Sequence, residues 1–263
     1  MFHNIKLGAL EYATADALDN YIHYFSTRLG GVSEGELASM NLGPGRGDSL
    51  EAVMQNYDIL GSAVGFAKEQ TVFPWQQHTD TIRVVDESNR GEGLFLKRTQ
   101  VCDGQITDRP GVALVTFAAD CTPILLFDPV RGAIGSVHAG WRGTAKGIAA
   151  KAVDAMVREF GCVRENIRAA IGPCIGKCCF ETDEDVPQAM LDALGPKALT
   201  AITQKGAKYY VDNKFCNALW LQRSGIGALD ISPDCTMCRP DRYWSHRAHG
   251  DHRGSQAGII MLK

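Results

Sequence analysis

The sequence predicts an α+β fold, and three observations support this prediction. Short apolar runs rich in branched residues, typical of buried strands, occur near both ends of the chain and in its middle. Stretches with apolar residues at helical spacing lie between some of these runs. Because strands open and close the chain instead of alternating regularly with helices, mixed layers fit better than a uniform βαβ winding. No repeat or linker interrupts the 263 residues, so we expect one domain spanning residues 1–263.

The individual elements follow from the same two periodicities. Several runs, such as Val-Ala-Leu-Val-Thr-Phe at 112–117, are apolar enough to be buried on both faces of a sheet. The predicted strands are residues 21–25, 81–85, 112–117, 124–127, 133–137, 167–171 and 258–262. The predicted helices are residues 50–64, 145–160, 183–194 and 213–223.

Composition narrows the classes of function. The chain is 45% hydrophobic and 22% charged, as expected for a globular protein with a substantial core. Its 27 basic and 30 acidic residues give a net charge of −3, so we expect neither nucleic acid nor membrane as a partner. The first residues do not resemble a secretion signal, which predicts a cytoplasmic protein. Nine cysteines, an odd number, are then expected to be reduced thiols or metal ligands.

Three reactive side chains stand at the ends of predicted strands. Cys121 and His138 follow two apolar runs whose ends meet if the runs lie side by side in one sheet, and His78 precedes a third run. Two imidazoles and one thiolate suit zinc, and three protein ligands leave a fourth position open, as in catalytic sites. The spacing matches no zinc-finger pattern. From spacing alone, a buried thiol beside structural histidines is the leading interpretation. The residues also allow a cysteine nucleophile activated by histidine, which needs no metal.

Two further segments are candidate ligand contacts. Residues 139–144, Ala-Gly-Trp-Arg-Gly-Thr, precede the predicted helix, which Thr144 is expected to cap. Their free backbone N–H groups and the planar guanidinium of Arg142 would suit phosphate, although a glycine-rich turn explains them as well. Near the amino terminus, glycine-dense loops carrying Arg28, Ser39 and Asn41 either hold a small polar ligand or form ordinary turns.

Two further groups of residues contain side chains that can bind metal. Cysteines 174, 178, 179, 235 and 238 include one pair with the two-residue gap of zinc ligands, but the first three provide no matching second pair. Histidines 246, 249 and 252 lie among Gly250, Asp251 and Gly254, which predicts a solvated loop rather than a metal site.

At these residues the chain resembles the YfiH/laccase-domain proteins along nearly its whole length. The matching motifs are Thr-Arg-Leu-Gly-Gly-Val-Ser (27–33), Ser-Met-Asn-Leu-Gly (39–43), Gly-Asp (47–48), Cys-Asp-Gly-Gln-Ile-Thr-Asp (102–108), Ala-Asp-Cys-Thr-Pro-Ile-Leu-Leu-Phe-Asp-Pro (119–129), Val-His-Ala-Gly-Trp-Arg-Gly (137–143) and Ile-Gly-Pro-Cys-Ile-Gly (171–176). The resemblance implies a single-domain, four-layered α/β/β/α sandwich. It also implies that His78, Cys121 and His138 bind zinc and carry the catalysis.

The family has been described with three kinds of activity. These are phosphorolysis of purine nucleosides (adenosine, inosine, guanosine, methylthioadenosine) with accompanying adenosine deamination, peptidoglycan-precursor editing by a cysteine-dependent hydrolase or amidase, and polyphenol oxidation with copper. Copper can occupy such a donor set, but a four-electron oxidase needs several coppers and the residues supply ligands for one. We therefore expect a zinc-dependent purine nucleoside phosphorylase, a monomer or homodimer, with Arg28, Ser39, Asn41 and Arg142 contacting nucleoside or phosphate.

The sequence departs from the family pattern at two places. Residues 76–80 read Gln-Gln-His-Thr-Asp where the family usually shows Gln-Val-His-Ser, a change that keeps the ligand His78. Near the carboxyl terminus Ala248 follows Arg247, where family members tend to have a second arginine. A substrate contact at that position is expected to differ.

Overall fold

The computed structural model describes residues 1–19 and 21–263. The strands are β1 (Phe2–Leu7), β2 (Leu10–Ala15), β3 (Ile22–Ser26), β4 (Thr71–Val72), β5 (Ile82–Val84), β6 (Gly104–Thr107), β7 (Ala113–Ala118), β8 (Thr122–Asp128), β9 (Ala133–Ala139), β10 (Arg168–Ile171), β11 (Glu181–Thr182), β12 (Ile202–Lys205), β13 (Lys208–Val211), β14 (Ala228–Ile231) and β15 (Gln256–Met261). The helices are α1 (Leu50–Val64), α2 (Trp141–Ala145), α3 (Ile148–Phe160), α4 (Asp185–Leu194), α5 (Asn213–Arg223) and α6 (His246–His249). None of the helices in the described ranges is long and apolar enough to cross a bilayer.

Two six-stranded sheets form the centre of the molecule. The first has the order β1-β2-β3-β15-β7-β4 and the second the order β14-β10-β8-β9-β6-β5. Most neighbours are antiparallel, but β4 runs parallel to β7, β5 to β6 and β14 to β10. A small third sheet, β11-β13-β12, lies beside α4. This mixed topology confirms the predicted α+β class.

The molecule has four layers, because each central sheet packs against the other sheet on one face and against helices on its other face. In β8, Leu125 and Phe127 join the core shared by the two sheets, whereas Ile124 and Leu126 pack on the α3 side. In β15, Ile260 points into the shared core. Its neighbour Ile259 packs with α1 residues on the opposite face of the first sheet. Since successive side chains of a strand point to opposite faces, α1 covers the first sheet and α3 and α5 cover the second. The predicted α/β/β/α sandwich is confirmed.

Two helices have the predicted limits because their ends carry clear signals. Ser49 caps α1 by accepting a hydrogen bond from the amide of Ala52 at 3.0 Å. Gly65, with a φ of 95°, then ends this helix in the left-handed region that glycine favours. Asp212 caps α5 by accepting from the amide of Phe215 at 3.0 Å.

The helix predicted at 145–160 is wrong in its amino-terminal part. Gly147, with a φ of 74°, separates the short helix α2 from α3 and is itself the residue that caps α3. Thr144 therefore lies inside α2 and does not cap the longer helix. Its hydroxyl oxygen instead accepts a hydrogen bond from the side chain of Asn217 in α5 at 2.8 Å.

The two runs that lead to Cys121 and His138 lie in different sheets, so their ends do not meet by lying side by side in one sheet. Strand β7 belongs to the first sheet and β9 to the second. Residues 119–121 cross from one sheet to the other, and β8 then pairs antiparallel with β9. In this register Pro123 lies opposite His138 and Thr122 opposite Ala139. Pairing of the strand after Cys121, rather than the strand before it, therefore brings Cys121 to His138.

Candidate metal centre and cavity

Three side chains that are distant in sequence converge where the sheets meet. The ligand atoms of His78, Cys121 and His138 all lie within 4.8 Å of one another. The Sγ of Cys121 is 3.8 Å from Nε2 of His78, and the two imidazole rings have centroids 5.0 Å apart. His138 is buried, whereas His78 is exposed. Because the group has one open side and only three donors, it has the arrangement of a metal site that keeps a position for a ligand.

A buried carboxylate, Asp103, holds the His78 segment in place. Its two oxygens accept hydrogen bonds from the amides of Gln77, His78 and Thr79 at 3.1, 3.0 and 2.7 Å, and from the Thr79 hydroxyl at 2.7 Å. Within this turn His78 has a φ of 57°, a left-handed conformation that is uncommon for residues other than glycine. The bonds to Asp103 therefore compensate for a strained backbone at the position of a candidate ligand.

The same carboxylate orients the second histidine. Nδ1 of His138 lies 2.8 Å from Oδ1 of Asp103, so the Nδ1–H group donates to the carboxylate and Nε2 remains for the metal. Burial alone would raise the pKa of Asp103, but the hydrogen bond and charge of His138 outweigh it and lower that pKa to about 2. Asp103 is therefore ionised and positions both His78 and His138.

The thiol of Cys121 has an environment that favours thiolate. Burial raises its pKa, but the charge of His138 and hydrogen bonds to both histidines outweigh burial and lower the pKa to about 6. For His138, burial lowers the pKa, while Cys121 and Asp103 together raise it to about 9. A thiolate with two imidazoles fits Zn²⁺ as a donor set. The same thiolate would also serve as a nucleophile.

Gly140 lies against this group and leaves no room for a side chain. A Cβ at this position would come 2.7 Å from Cδ2 of His78 and 3.3 Å from Sγ of Cys121. Its φ of −66° is accessible to any residue, so glycine is required here for space and not for backbone conformation.

We therefore expect Gly140→Ala to fold normally but to displace His78. Metal affinity should fall by about tenfold or more, since even small shifts of ligand orientation have effects of this size. Competition with a chromophoric chelator would measure the affinity, and circular dichroism would verify the fold. Unchanged affinity would show that the ligands move without cost or that His78 does not bind metal.

A cavity of about 350 Å³ opens beside the three side chains. It is lined by His78, Ala119, Asp120, Cys121, Trp141, Ile175, Phe180, Asn213, His246, Arg247 and Arg253. A larger depression of about 690 Å³ lies around Tyr12, Tyr21 and Met261 and includes none of the three converging residues. The smaller cavity combines aromatic walls with a few polar groups, as small-molecule sites do.

Two polar residues of the cavity have atoms without hydrogen-bond partners among the described residues. Arg253 is only 8% exposed, its Nε has no acceptor, and its Nη1 donates only to the carbonyl of Gly254. Burial and the neighbouring Arg46 lower the pKa of this guanidinium. Oδ1 of Asn213 also lacks a donor, although its Nδ2 donates to Thr122 and Ala139. Such buried, unpaired groups are costly unless a ligand satisfies them.

Arg247 forms part of the cavity wall. Its guanidinium donates to the carbonyls of Cys179 and Glu181 at 3.2 and 3.0 Å, and its amide donates to Asp120 at 2.7 Å. Asp120 itself has a φ of 89° and accepts from the hydroxyl of Thr236 at 2.6 Å. Arg247 thus ties α6 to the crossing that carries Cys121.

Three residues predicted to contact ligand lie outside the cavity lining. Arg28 stacks on Trp244 at 3.8 Å and donates to the carbonyls of Ala38 and Pro240. Ser39 accepts from the amides of Gly30 and Gly31 and donates to the carbonyl of Arg28. Asn41 is buried, and both ends of its amide are bonded within the protein. These contacts organise the amino-terminal loops.

Arg142, predicted to contact phosphate, is also outside the cavity lining. The side chain of Arg142 is exposed and lies 4.3 Å from the ring of Trp141, outside the cavity lining. Helix α2, which begins here, has only five residues. The residues that sequence reasoning missed are Asp103, Asn213 and Arg253. Asp103 falls within the matching segment 102–108, which was a usable signal, whereas no pattern around Arg253 distinguishes it from neighbouring charges.

Comparisons with known proteins identify the family of the chain. The family model described as multi-copper polyphenol oxidoreductase laccase matches residues 22–263. A Geobacillus stearothermophilus protein named purine nucleoside phosphorylase YlmD is 36% identical over 89% of this chain and 88% of its own length. A mouse (Mus musculus) protein named purine nucleoside phosphorylase LACC1 is 33% identical over 93% of this chain, which spans only 56% of the mouse protein's length.

A solved structure shows the same fold over its full length. The hypothetical protein YfiH of Bacillus licheniformis superposes with a TM-score of 0.93 at 32% identity and covers 100% of this chain and 99% of its own. Since the family model spans nearly the whole chain and relatives above 30% identity cover most of it, the chain belongs to the YfiH/laccase-domain family.

Proposed function

We propose that the chain is a zinc-dependent purine nucleoside phosphorylase acting on adenosine, inosine, guanosine and methylthioadenosine. One observation carries the proposal. The cavity beside the His78, Cys121 and His138 group contains the buried guanidinium of Arg253, whose Nε has no partner among the described residues. A buried cation without a carboxylate partner suits an anionic co-substrate such as phosphate. The names of the relatives point to the same activity.

His78, Cys121 and His138 would hold the zinc ion, because two imidazoles and a thiolate with a depressed pKa are donors that zinc accepts. Asp103 would keep both imidazoles in the orientation that binding requires. When bound, zinc supplies a Lewis acid to the cavity.

Phosphorolysis requires a bond exchange at C1′ of the nucleoside. A phosphate oxygen attacks C1′, the C1′–N9 bond breaks, and its electron pair leaves with the purine, which takes up a proton. The products are ribose 1-phosphate and the free base. Arg253 would bind and orient the phosphate, and fixing the two reactants together supplies much of the rate enhancement in such reactions.

The remaining cavity residues suit a purine nucleoside. Trp141 and Phe180 give the cavity an aromatic lining that can contact a base. Oδ1 of Asn213, which lacks a donor among the described residues, would accept from an N–H or hydroxyl group of the nucleoside. Adenosine deamination is a second activity of the same cavity in this proposal. The protein has nine cysteines without disulfide bonds, which favours a cytosolic location.

A cysteine-dependent hydrolase or amidase is the second candidate. The observation that favours it is the contact of Cys121 with His78 at 3.8 Å, together with a thiol pKa of about 6. Copper oxidation is less favoured, because this group offers donors for one ion. The other candidate metal group in the described ranges consists of four cysteines and lacks the imidazoles expected of further oxidase coppers.

Base release with and without phosphate tests the proposal. Zinc-loaded protein should release adenine, hypoxanthine and guanine from adenosine, inosine and guanosine only when phosphate is present. Liquid chromatography would follow the free bases. Release without phosphate would favour the hydrolase. Absence of release from zinc-loaded protein would refute the phosphorylase. Ammonia produced from adenosine in phosphate-free buffer would identify the deaminase activity.

A further inference from the structure

Four thiols form a second cluster that the proposed reaction does not use. The Sγ atoms of Cys178, Cys179, Cys235 and Cys238 all lie within 4.8 Å of one another. Cys238 is 3.5 Å from Cys178 and 3.4 Å from Cys179, sulfur to sulfur. None of the four belongs to the His78, Cys121 and His138 group. We propose that these four cysteines bind a structural zinc ion that fixes one wall of the cavity.

The spacing of the sulfurs suits a tetrathiolate site. At a zinc–sulfur distance of about 2.3 Å, a tetrahedron places its sulfurs about 3.8 Å apart. The observed separations are close to this value and well above the length of about 2 Å of a disulfide bond. A disulfide would join only two of the four thiols and leave the others crowded beside it. Zinc uses all four donors, and on binding each protonated thiol releases its proton to solvent without oxidation of sulfur.

The backbone around the cluster is arranged as in thiolate sites. The amide of Gly176 donates a hydrogen bond to Sγ of Cys235 at 3.1 Å. A Cβ on Gly176 would lie only 3.2 Å from Sγ of Cys178, so glycine permits this close approach. Four thiolates around Zn²⁺ carry a net charge of −2. Lys177 and Arg239 adjoin these ligands in the sequence, although Lys177 donates to the carbonyl of Thr200 and Arg239 pairs with Asp241.

The position of the cluster explains what the zinc would do. Residues 174–180 and 232–245 contain little regular structure, and Cys174 and Cys235 are joined by an isolated β-bridge. Cys174 itself lies outside the four, because its thiol is buried against the hydroxyl of Thr122. Ile175 and Phe180, on either side of Cys178 and Cys179, line the cavity. A zinc ion bound by cysteines of both segments would therefore hold this wall in one conformation.

Metal content separates the two sites. Protein prepared anaerobically with reductant should contain two zinc ions per chain by inductively coupled plasma mass spectrometry. Cys238→Ser and His138→Ala should each contain one, while Cys238→His, which keeps a ligand, and the distant Cys162→Ala should contain two. In the cobalt-substituted protein, the thiolate charge-transfer bands should keep most of their intensity in His138→Ala. In Cys238→Ser they should fall to the contribution of the single Cys121 thiolate. A single zinc that His138→Ala abolishes would overturn the proposal, as would iron in place of zinc.

Thiol alkylation of the unmodified protein keeps the test independent of how a variant folds. Cys178 and Cys238 are exposed, so without a metal iodoacetamide can reach both sulfur atoms. With zinc bound, peptide mass spectrometry should show at least tenfold slower alkylation of these two residues, and a chelator should abolish the protection. Equal rates before and after chelation would refute the site, whatever the activity of the protein.

Discussion

Replacement of Cys121 by alanine should remove both metal and activity from the cavity. The thiolate is one of the three donors of this group, and in the metal-free site its charge raises the pKa of His138. Loss of a residue that hydrogen-bonds to a metal ligand lowers metal affinity by about 10- to 100-fold. Loss of a ligand itself should lower it further. We therefore expect zinc affinity at this site to fall more than about 100-fold and phosphate-dependent base release to fall at least as far.

The matched control is Cys162→Ala. Cys162 is a buried thiol near the end of α3, and its pKa is raised to about 12 by burial and by Asp128. Its removal should leave zinc content and base release at the wild-type level, which separates loss of a ligand from loss of any thiol. A Cys121→Ala protein that keeps zinc bound at His78 and His138 but loses activity would contradict the ligand role and favour the nucleophile.

Replacement of Arg253 by glutamine should raise the KM for phosphate by about 10- to 100-fold, which corresponds to the loss of a charge-assisted hydrogen bond of about 1.5–3 kcal/mol. The KM for the nucleoside should change less, because the cation recognises the anion. Arg253→Lys should restore part of the phosphate affinity but not the planar, two-pronged contact of a guanidinium. Initial rates at several phosphate concentrations would give both constants.

Arg158→Gln serves as the control for this charge. Arg158 is exposed on α3 and pairs with Glu159, so its loss changes net charge by the same amount away from the cavity. We expect wild-type kinetics from this variant. Equal phosphate KM values for wild type and Arg253→Gln would place the phosphate elsewhere. Arg142 would then be the next candidate to test.

The sequence could predict those features that depend on local signals. Helices α1 and α5 have capping residues and apolar spacing that fix both ends, and their limits match. The sequence also suggested that His78, Cys121 and His138 converge, and they do. The pairing that brings Cys121 to His138 is that of β8 with β9, not of β7 with β9. The family resemblance supplied what spacing could not, since the three residues share no motif of known metal-ligand spacing.

Other features depended on contacts between distant segments. Gly147 breaks the helix predicted at 145–160 because it adopts a positive φ beside Trp220. The spacing of apolar residues in the sequence does not reveal this backbone conformation. Arg253 looks in sequence like any charged loop residue. Tertiary packing buries it and leaves its Nε without a partner among residues 1–19 and 21–263. Arg28, Ser39 and Asn41 have polar groups of the kind that contact ligands. In the structure these groups form hydrogen bonds with nearby backbone groups.

The most direct test of the central claim is to follow phosphate itself during the reaction. Inosine, phosphate and zinc-loaded protein would be monitored by ³¹P nuclear magnetic resonance while hypoxanthine is measured in the same sample. The account predicts that the inorganic phosphate signal declines as a ribose 1-phosphate signal grows, mole for mole with hypoxanthine. Hypoxanthine accumulating while the phosphate signal stays constant would contradict it and identify a hydrolase.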